Sequence, residues 1–383
     1  MNNDRQLYID NIRLMVIILV VLQHLALTYG GMTGIWYYVE PVEMGIIQTF
    51  IFGTLIVYSQ AFFMGLLFLV AGYFVPESYD KKGFGKFIKD RFVRLGFPTI
   101  LNLYIISPVV IFGLAGYRRI GPDGYRSFFD MYRRYVTSSY FFSGLGVLWF
   151  AFALLIFSVI YSLFRKLKTV ETKTYQKEFP GLSKIILLTL FIAICTFLVR
   201  IVHPIDSVTA GMRLGHFSQY VIFFIIGIYC KYNGWLENIS YKLGKACLFS
   251  GVTFGLVLLI VILYFGGATN GDMGPLSGGL TWQSAVFSLW ESYIAVAMSV
   301  GLIALFKKRC NKQNQLIRTL SRNAFAVYVF HTPIIVAISL LFAPVNLIPV
   351  VKFVIVSTVA IPACFLFCNF IVLRIPVFKR IFV

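Results

Sequence analysis

Charge is scarce in this sequence, and negative charge is the scarcest. Only 13% of the 383 residues are charged, and 15 Asp and Glu residues stand against 34 Lys and Arg residues, which gives a net charge of +19. A soluble domain usually carries about 25% charged residues, so the composition excludes an ordinary soluble fold. With 59% hydrophobic residues and a mean hydropathy of +0.82, the chain is predicted to be an integral membrane protein.

Signatures of several other functional classes are missing. The six cysteines form no CxxC pair, so neither a disulfide framework nor a cysteine zinc site is indicated. His203 and His216 flank Asp206 at a spacing that fits no standard zinc pattern, and we expect no metal. There is no GxSxG, P-loop or HExxH motif, which removes the usual support for those chemistries. The first apolar run is long and lacks a small-residue cleavage site, so no cleavable signal peptide is expected.

Long apolar runs dominate the sequence instead. A helix crosses a bilayer with about 20 mostly apolar residues, and on that rule we predict an all-α, polytopic integral membrane protein with about ten transmembrane helices. These spans lie near residues 11–30, 48–75, 95–116, 141–164, 184–202, 217–231, 246–266, 284–306, 324–343 and 350–373. No internal repeat or separate soluble segment is evident, so residues 1–383 are predicted to form one membrane-embedded domain.

The basic residues set the predicted orientation. Most of the 34 Lys and Arg residues fall on one side of the ten spans, and the positive-inside rule then places both termini in the cytoplasm. The positive charge is therefore assigned to topology and to membrane lipids, and no nucleic-acid partner is expected. One predicted outer loop, 117–139, departs from the rule because it carries five arginines, among them Arg118 and Arg119. These arginines are expected either to bind an anionic substrate or to contact anionic lipid headgroups, or the loop 117–139 is an interfacial amphipathic helix.

The first span carries charge at its start and an ionisable residue inside it. Arg13 and His24 in RQLYIDNIRLMVIILVVLQH are eleven residues apart, which in a helix places them on one face, about 16 Å apart along the axis. Asp10 precedes Arg13 by three positions and falls on nearly the same stripe. An ionisable group within a span usually faces a bundle interior or a cavity and marks a functional site. The ordinary alternative is a histidine that hydrogen-bonds a neighbouring helix.

Further candidates lie in other spans. Arg91 and Arg94 share a face at the predicted cytoplasmic start of the third span. They either bind a phosphorylated ligand or only reflect the usual excess of basic residues on the cytoplasmic side. Glu291 in the eighth span needs a partner, which is either His24 or an outer-loop arginine. Its role is either catalytic or that of a structural ion pair. His331 falls near mid-membrane in the ninth span. Trp149 in the fourth span either stacks against a substrate or packs against other aromatic residues near the membrane interface.

Taken in order, these residues resemble the membrane acyltransferase 3 family. The family opens with an arginine, ten residues and a histidine near the end of the first span, and Arg13 and His24 match that pattern after YIDNIR. The resemblance continues in FFMGLLFLVAGYF (62–74), in RFVRL (91–95) followed by Pro98, in LWF (148–150) and in NAFAVYVFHTP (323–333). The ending RIPVFKRIF resembles the glucan-succinylating branch, the osmoregulated periplasmic glucan biosynthesis protein C type.

Two departures from the family pattern limit what is carried over. Ala71 stands where the family usually has Ser, so any role of that hydroxyl is absent. No SGNH-type esterase domain is appended, so we expect a stand-alone transferase or one that relies on a partner.

The resemblance implies an O-acyltransferase of the cell (inner) membrane. Such an enzyme moves an acyl group of the acetyl or succinyl class from cytosolic acyl-CoA to a hydroxyl of an extracytoplasmic glycan. Acyl-CoA is then the donor substrate, the glycan is the acceptor, and no permanently bound cofactor is expected. The outer arginines and the branch resemblance favour a charged acyl group such as succinyl.

The resemblance also implies roles for the candidate residues. His24 is expected to be the general base, with a transient acyl-histidine left open as an alternative, and Glu291 and His331 are expected to position groups or relay protons. The acyl-CoA-binding residues are expected to be Arg13, Arg91, Arg94 and Asp10, the last orienting Arg13. The acceptor-binding residues are expected to be Trp149, Arg118 and Arg119.

A secondary transporter of a glycan or an anion is the competing hypothesis. In that function His24, Glu291 and His331 form an intramembrane proton pathway. The absence of a visible inverted repeat counts against it, as do the motifs above. A non-catalytic membrane scaffold ranks last, because it gives no reason for Arg13 and His24 to align.

Overall fold

The structure is a computed structural model that describes residues 6–31, 36–114, 128–168, 175–268 and 271–382, with only the backbone described at 139 and 140. Helices make up nearly all of these ranges, and the strand-like pairing within them is an isolated bridge between Thr209 and Met212. The α-helices are α1 Leu7–Tyr29, α2 Ile46–Arg91, α3 Phe97–Leu101, α4 Phe128–Thr137, α5 Trp149–Leu167, α6 Leu182–Val202, α7 Phe217–Asn233, α8 Tyr241–Phe265, α9 Gly274–Ser277, α10 Trp282–Arg309, α11 Gln315–Phe342, α12 Pro349–Phe370 and α13 Pro376–Phe382.

Shorter helical turns of other types connect several of these helices. Three stretches between α2 and residue 114 have the wide π-helical turn: Phe92–Gly96, Asn102–Ile106 and Val109–Leu114. Three others have the narrow 3₁₀ turn: Ser139–Leu148, Leu214–His216 and Val372–Arg374. Wide turns of this kind are uncommon in regular helices and often occur at functional sites.

Within the described ranges, nine helical stretches are long and apolar enough to cross a membrane. The prediction of an all-α polytopic membrane protein is confirmed. The count of ten differs because the spans expected at 48–75 and 95–116 lie in one helical stretch, Ile46–Leu114, of 69 residues. A straight helix of that many residues, at about 1.5 Å each, would be roughly 100 Å long, well beyond a hydrocarbon core of about 30 Å. The cytoplasmic placement of both termini stays a prediction.

The long stretch is interrupted at one glycine. Gly83 in α2 has φ 68° and ψ 170°, outside the helical region. A positive φ is strained for residues that carry a Cβ atom, whereas glycine adopts it readily. The break falls in the basic segment KKGFGK, where a chain that crosses a membrane twice needs to change direction.

The chain divides into two compact units, each built from three separated segments. The first unit contains the described parts of Met1–Ile12, Gln60–Lys89 and Ile156–Gln313. Within it, glycines let α8 and α10 approach closely: an added Cβ at Gly301 would meet the backbone of Leu248, and the Trp290 indole donates to the Gly255 carbonyl at 2.8 Å. Small residues commonly allow this kind of close packing between membrane helices.

The second unit contains Arg13–Ser59, Asp90–Leu155 and Asn314–Val383, again in their described parts. Here α11 packs against α12, and the short α13 folds back beside them through an aromatic cluster. Phe330 of α11 has its ring centre 6.0 Å from that of Phe378 and 5.8 Å from that of Phe382. This unit carries His24, and it is the one in which most of the predicted site residues lie.

Candidate active site

Two histidines from distant parts of the sequence meet in the second unit. His24 lies in the last third of α1, and His331 lies in the middle of α11 and is fully buried. His331 Nε2 is 3.1 Å from His24 Nδ1, and the ring centres are 5.1 Å apart. His331 Nδ1 is 2.8 Å from the Tyr328 carbonyl oxygen. The structure therefore brings into contact two residues that the sequence analysis identified as separate candidates.

The hydrogen bonds assign a tautomer to both rings. A carbonyl oxygen only accepts, so His331 Nδ1 carries a proton and, in the neutral ring, His331 Nε2 is an acceptor. His24 Nδ1 then donates to His331 Nε2. In neutral His24 the lone pair is consequently on Nε2, the nitrogen that points away from this bond. This is the arrangement that a general base requires: one nitrogen is held by a partner and the other carries the lone pair that accepts a proton.

An aromatic residue covers the His24 ring. Trp36 lies 4.3 Å from His24 between ring centres, with the planes only 20° apart, and 8% of the residue is exposed. Tyr37 makes an edge-to-face contact with the Trp36 ring, with 5.0 Å between the ring centres. The sequence analysis did not identify Trp36, because an aromatic pair just beyond a span is the ordinary composition of the membrane interface. Its position in GIWYYVE, shortly after His24, was the only available signal.

The segment that carries Trp36 is anchored to two helices of the same unit. The Glu40 backbone N–H donates to the Thr28 carbonyl of α1 at 2.8 Å. The Glu40 carboxylate accepts from the Tyr38 hydroxyl at 2.9 Å and forms an ion pair with Lys352 of α12. Lys352 and Glu40 are both buried, and buried charges persist only when they are paired. This pair therefore fixes the segment above His24.

Tyr37 links the same segment to a second polar cluster. Its hydroxyl is 3.4 Å from Ser107 Oγ, and Ser107 donates to the Gly144 carbonyl at 2.6 Å. Asn102 donates to the same carbonyl at 2.8 Å. Burial raises the pKa of Tyr37 above its ordinary value, so its hydroxyl stays protonated and can donate to Ser107. Gly146, with φ 45°, lies directly against this hydroxyl, where a Cβ atom has no room.

Trp149 begins α5 beside this cluster. Its side chain is partly exposed and contacts Phe150 edge-on. The preceding turn is held by α11, because the Tyr328 hydroxyl donates to the Val147 carbonyl. Tyr328 is also the residue whose carbonyl binds His331. Trp149 is thus in the same unit as the histidine pair, while Arg118 and Arg119 lie outside the described residues.

The three arginines predicted to bind the donor come together in the second unit. Arg13 is on α1, Arg91 ends α2 and Arg94 lies in the π-helical turn that follows. The positive charges of Arg94 and Arg13 both act on Arg91, so each of these two guanidinium groups lies within electrostatic range of Arg91. Arg94 Nε is 3.4 Å from Asp90 Oδ1. A cluster of guanidinium groups suits phosphate oxygens, which accept paired N–H bonds.

A continuous helix connects this arginine cluster with the histidine pair. Arg13 and His24 both lie in α1, Leu7–Tyr29, which has no interruption. Eleven residues at 1.5 Å each give a separation of about 16 Å along the axis. Asp10 is in the first turn of α1, three residues before Arg13.

Glu291 lies in the first unit, in a buried cluster of its own. Its carboxylate pairs with Arg200 of α6 and accepts from His216 Nδ1 at 2.7 Å. Arg200 also donates to Ser288 Oγ at 3.1 Å and to the Gly215 carbonyl at 3.1 Å. The sequence required a partner for Glu291 and offered an outer-loop arginine as one choice. Arg200, at the predicted outer end of the fifth span, is that arginine.

Among the described residues, no group of three His, Cys, Asp or Glu side chains converges as a metal site needs. His216 is engaged with Glu291 and Arg200. The expectation that no metal is bound stays a prediction.

Comparison with known proteins identifies the family. The sequence profile of the acyltransferase 3 family, described as an acyltransferase domain, matches residues 6–369. No curated protein and no solved structure matches the chain. The matched range contains the arginine cluster and both paired histidines, and it ends before the RIPVFKRIF segment that pointed to the glucan-succinylating branch. Because the match covers nearly the whole chain, this multi-pass membrane protein belongs to the acyltransferase 3 family.

Proposed function

We propose that this protein is an integral membrane O-acyltransferase of the cell (inner) membrane. It transfers an acyl group of the acetyl or succinyl class from cytosolic acyl-CoA to a hydroxyl group of an extracytoplasmic glycan. The family supplies the general activity. The donor, the acceptor and the residue roles are our proposal.

The histidine pair is the observation that carries this proposal. Acyl transfer to a hydroxyl needs a base that removes the hydroxyl proton as the oxygen attacks. His24 Nε2 is the unprotonated nitrogen of a ring whose Nδ1–H is held by His331. When Nε2 takes the proton, the resulting imidazolium keeps its hydrogen bond to His331, which itself stays oriented by the Tyr328 carbonyl. A hydrogen-bonded partner behind a base stabilises both its orientation and its charged form.

The reaction proceeds by proton transfer and acyl transfer at His24. The acceptor oxygen loses its proton to His24 Nε2 and forms a bond to the thioester carbonyl carbon. The carbonyl electrons move to oxygen, and their return breaks the carbon–sulfur bond. The leaving thiolate of CoA takes the proton back from His24. The ester and free CoA are the products, and His24 is again neutral.

The arginine cluster provides the donor end of the proposed site. CoA carries a pyrophosphate and a further phosphate, and forked guanidinium groups bind such oxygens with strong, charge-assisted hydrogen bonds. With Arg13, Arg91 and Arg94 holding the phosphates, the extended pantetheine arm runs along α1 toward His24. The separation of about 16 Å along the helix is of the length that such an extended arm spans. Asp10 is proposed to orient Arg13.

The acceptor is proposed to approach from the opposite side of the membrane. His24 is five residues from the end of α1 that we predict to be extracytoplasmic, which is about 7.5 Å along the axis. Trp149 is proposed as an aromatic contact for a sugar ring. Arg118 and Arg119 are proposed to attract an acidic acceptor or the carboxylate of a succinyl group.

A purified-protein assay tests the proposal. The protein is reconstituted in nanodiscs and given acetyl-CoA or succinyl-CoA with methyl β-D-glucoside as the acceptor probe, and both CoA release and ester formation are measured. We expect release in the wild type and its loss in His24→Gln. His203→Gln, a histidine in the predicted outer loop of the first unit, is the matched control and is expected to keep full activity. Equal turnover of wild type and His24→Gln would refute the assignment of His24.

The same protein in sealed vesicles separates the enzyme from a transporter. An acyltransferase consumes the thioester and forms free CoA on one side of the membrane while the ester appears on the other. A transporter moves solute down a gradient without cleaving a thioester. Solute flux without any CoA release would overturn the proposed function.

A further inference from the structure

Trp36 has a buried hydrogen-bond donor without a partner. Only 8% of the residue is exposed, and its Nε1 atom has no hydrogen bond within the part of the chain that the structure describes. Trp290, which is 3% exposed, behaves differently, because it donates its indole N–H to the Gly255 carbonyl. A buried N–H without a partner has lost its hydrogen bonds to water and gained none in return, and such exceptions in native proteins call for an explanation, a catalytic role among them.

The unpaired donor lies beside the proposed base. The Trp36 ring is stacked on His24, 4.3 Å away between centres. The indole N–H belongs to the ring that is stacked on His24, so this donor lies close to the imidazole that is proposed to activate the acceptor hydroxyl.

The chemistry at His24 creates the partner that the indole lacks. As the acceptor oxygen bonds to the thioester carbon, the carbonyl oxygen becomes negatively charged. Acyl-transfer enzymes place fixed N–H donors at that oxygen, and such donors act more strongly in a site that excludes water. We propose that Trp36 is a catalytic residue whose indole N–H donates a hydrogen bond to this oxyanion. The proposal rests on the proposed acyltransferase function and adds a residue to its mechanism.

The surroundings of Trp36 fit a fixed donor. The ring is held on one face by His24 and at its edge by Tyr37. Four residues further on, Glu40 is tied to α1 through Thr28 and to α12 through Lys352. A donor held in this way needs little reorganisation during the reaction, which is what makes an oxyanion hole effective.

The test replaces only the donor atom. Benzothienylalanine at position 36 keeps the shape and the stacking of the indole but has sulfur in place of N–H, and Trp36→Phe provides a second variant that keeps an aromatic face for His24. Trp282→Phe, at an exposed position of α10, is the matched control. All are assayed in nanodiscs with acetyl-CoA or succinyl-CoA and methyl β-D-glucoside.

We expect kcat to fall by about 100-fold or more in both position-36 variants, the usual effect of removing one oxyanion donor. The KM values for donor and acceptor are expected to stay unchanged, as is the activity of Trp282→Phe. Wild-type kcat in the benzothienylalanine variant would overturn the proposal while leaving the His24 assignment in place. A raised acceptor KM with unchanged kcat would overturn it too, since Trp36 would then bind the sugar. If the wild type released no CoA from either donor, the acyltransferase function and the Trp36 role would both be rejected.

Discussion

Lys352 pairs with Glu40 at a depth where only 2% of the lysine side chain and 9% of the glutamate side chain are exposed. The lysine is the fourth residue of α12, and the glutamate ends the segment that brings Trp36 onto His24. A charge buried in this way is stable only with its partner. The pair therefore couples the stability of the second unit to the geometry of the proposed site.

Removal of one partner of this pair should destabilise the protein strongly. Lys352→Met leaves the Glu40 carboxylate buried and unpaired, which typically costs about 3–5 kcal/mol. Thermal unfolding followed with a thiol-reactive dye measures this, because the buried Cys364 and Cys368 become accessible on unfolding. Lys379→Met, at an exposed position of α13, is the control and should unfold like the wild type.

A double variant separates the pair from other effects of the mutation. Lys352→Met combined with Glu40→Met removes both charges, and such replacements of buried pairs are often neutral. We expect it to recover most of the stability lost in Lys352→Met. If the double variant unfolds as early as the single one, the pair is not the reason for the loss.

Loss of the His331 side chain should slow the reaction without weakening substrate binding. In His331→Ala the His24 ring loses the acceptor that fixes its tautomer. We therefore expect the loss of a large part of the general-base contribution, which is about 10²- to 10⁴-fold in rate. Steady-state kinetics with acetyl-CoA should show a lower kcat with an unchanged donor KM, and His203→Ala should match the wild type. Full turnover in His331→Ala would remove the histidine pair from the mechanism.

The sequence predicted those parts of the site that depend on local spacing. Helical periodicity alone placed Arg13 and His24 on one face of α1, and the uninterrupted helix agrees. The spacing of Arg91 and Arg94 predicted that they lie together, and the structure also brings Arg13 within electrostatic range of Arg91. Apolar runs likewise predicted the membrane helices, because crossing a bilayer imposes a length and a composition that a single sequence reveals.

The sequence did not predict contacts between residues far apart in the chain. His331 lies 307 positions from His24, and no local pattern indicates their hydrogen bond. Lys352 was counted as a cation near a predicted outer loop, and its burial depends on Glu40, 312 positions away. Trp36 resembled an ordinary interfacial aromatic residue, and only the stacked geometry distinguishes it. Each of these is set by tertiary packing, which propensity and periodicity do not encode.

Glu291 offers a test between a structural and a catalytic role. In Glu291→Gln, Arg200 keeps its burial but loses the charge that compensates it, so we expect a loss of stability of about 3–5 kcal/mol. The folded fraction is then assayed at saturating acetyl-CoA. A fall in kcat of about 100-fold or more in that fraction would confirm the predicted proton relay. Unchanged kcat would assign the Arg200–Glu291 pair to the architecture of the first unit.

The arginine cluster should determine how tightly the donor binds and how that binding depends on salt. Each charge-assisted hydrogen bond contributes about 1.5–3 kcal/mol, so Arg91→Ala should raise the Kd of CoA by about 10- to 100-fold, measured by calorimetry in nanodiscs. Arg91→Lys keeps the charge but loses the planar guanidinium fork, so its Kd for CoA should lie between the values of the wild type and Arg91→Ala. Arg134→Ala, at an exposed position of α4 with its own partner Asp130, is the control.

Donor analogues that lack one phosphate can show which arginine of the cluster binds which phosphate. If an arginine of the cluster binds the 3′-phosphate, its alanine variant should bind CoA and 3′-dephospho-CoA with the same affinity, whereas the wild type prefers CoA. Comparing Arg13→Ala, Arg91→Ala and Arg94→Ala in this way assigns the phosphate to one guanidinium. Rising ionic strength should weaken wild-type binding more than binding by any of the three variants, because screening acts on the charges they lack. Equal CoA affinity and equal salt dependence in all four proteins would place the donor away from this cluster.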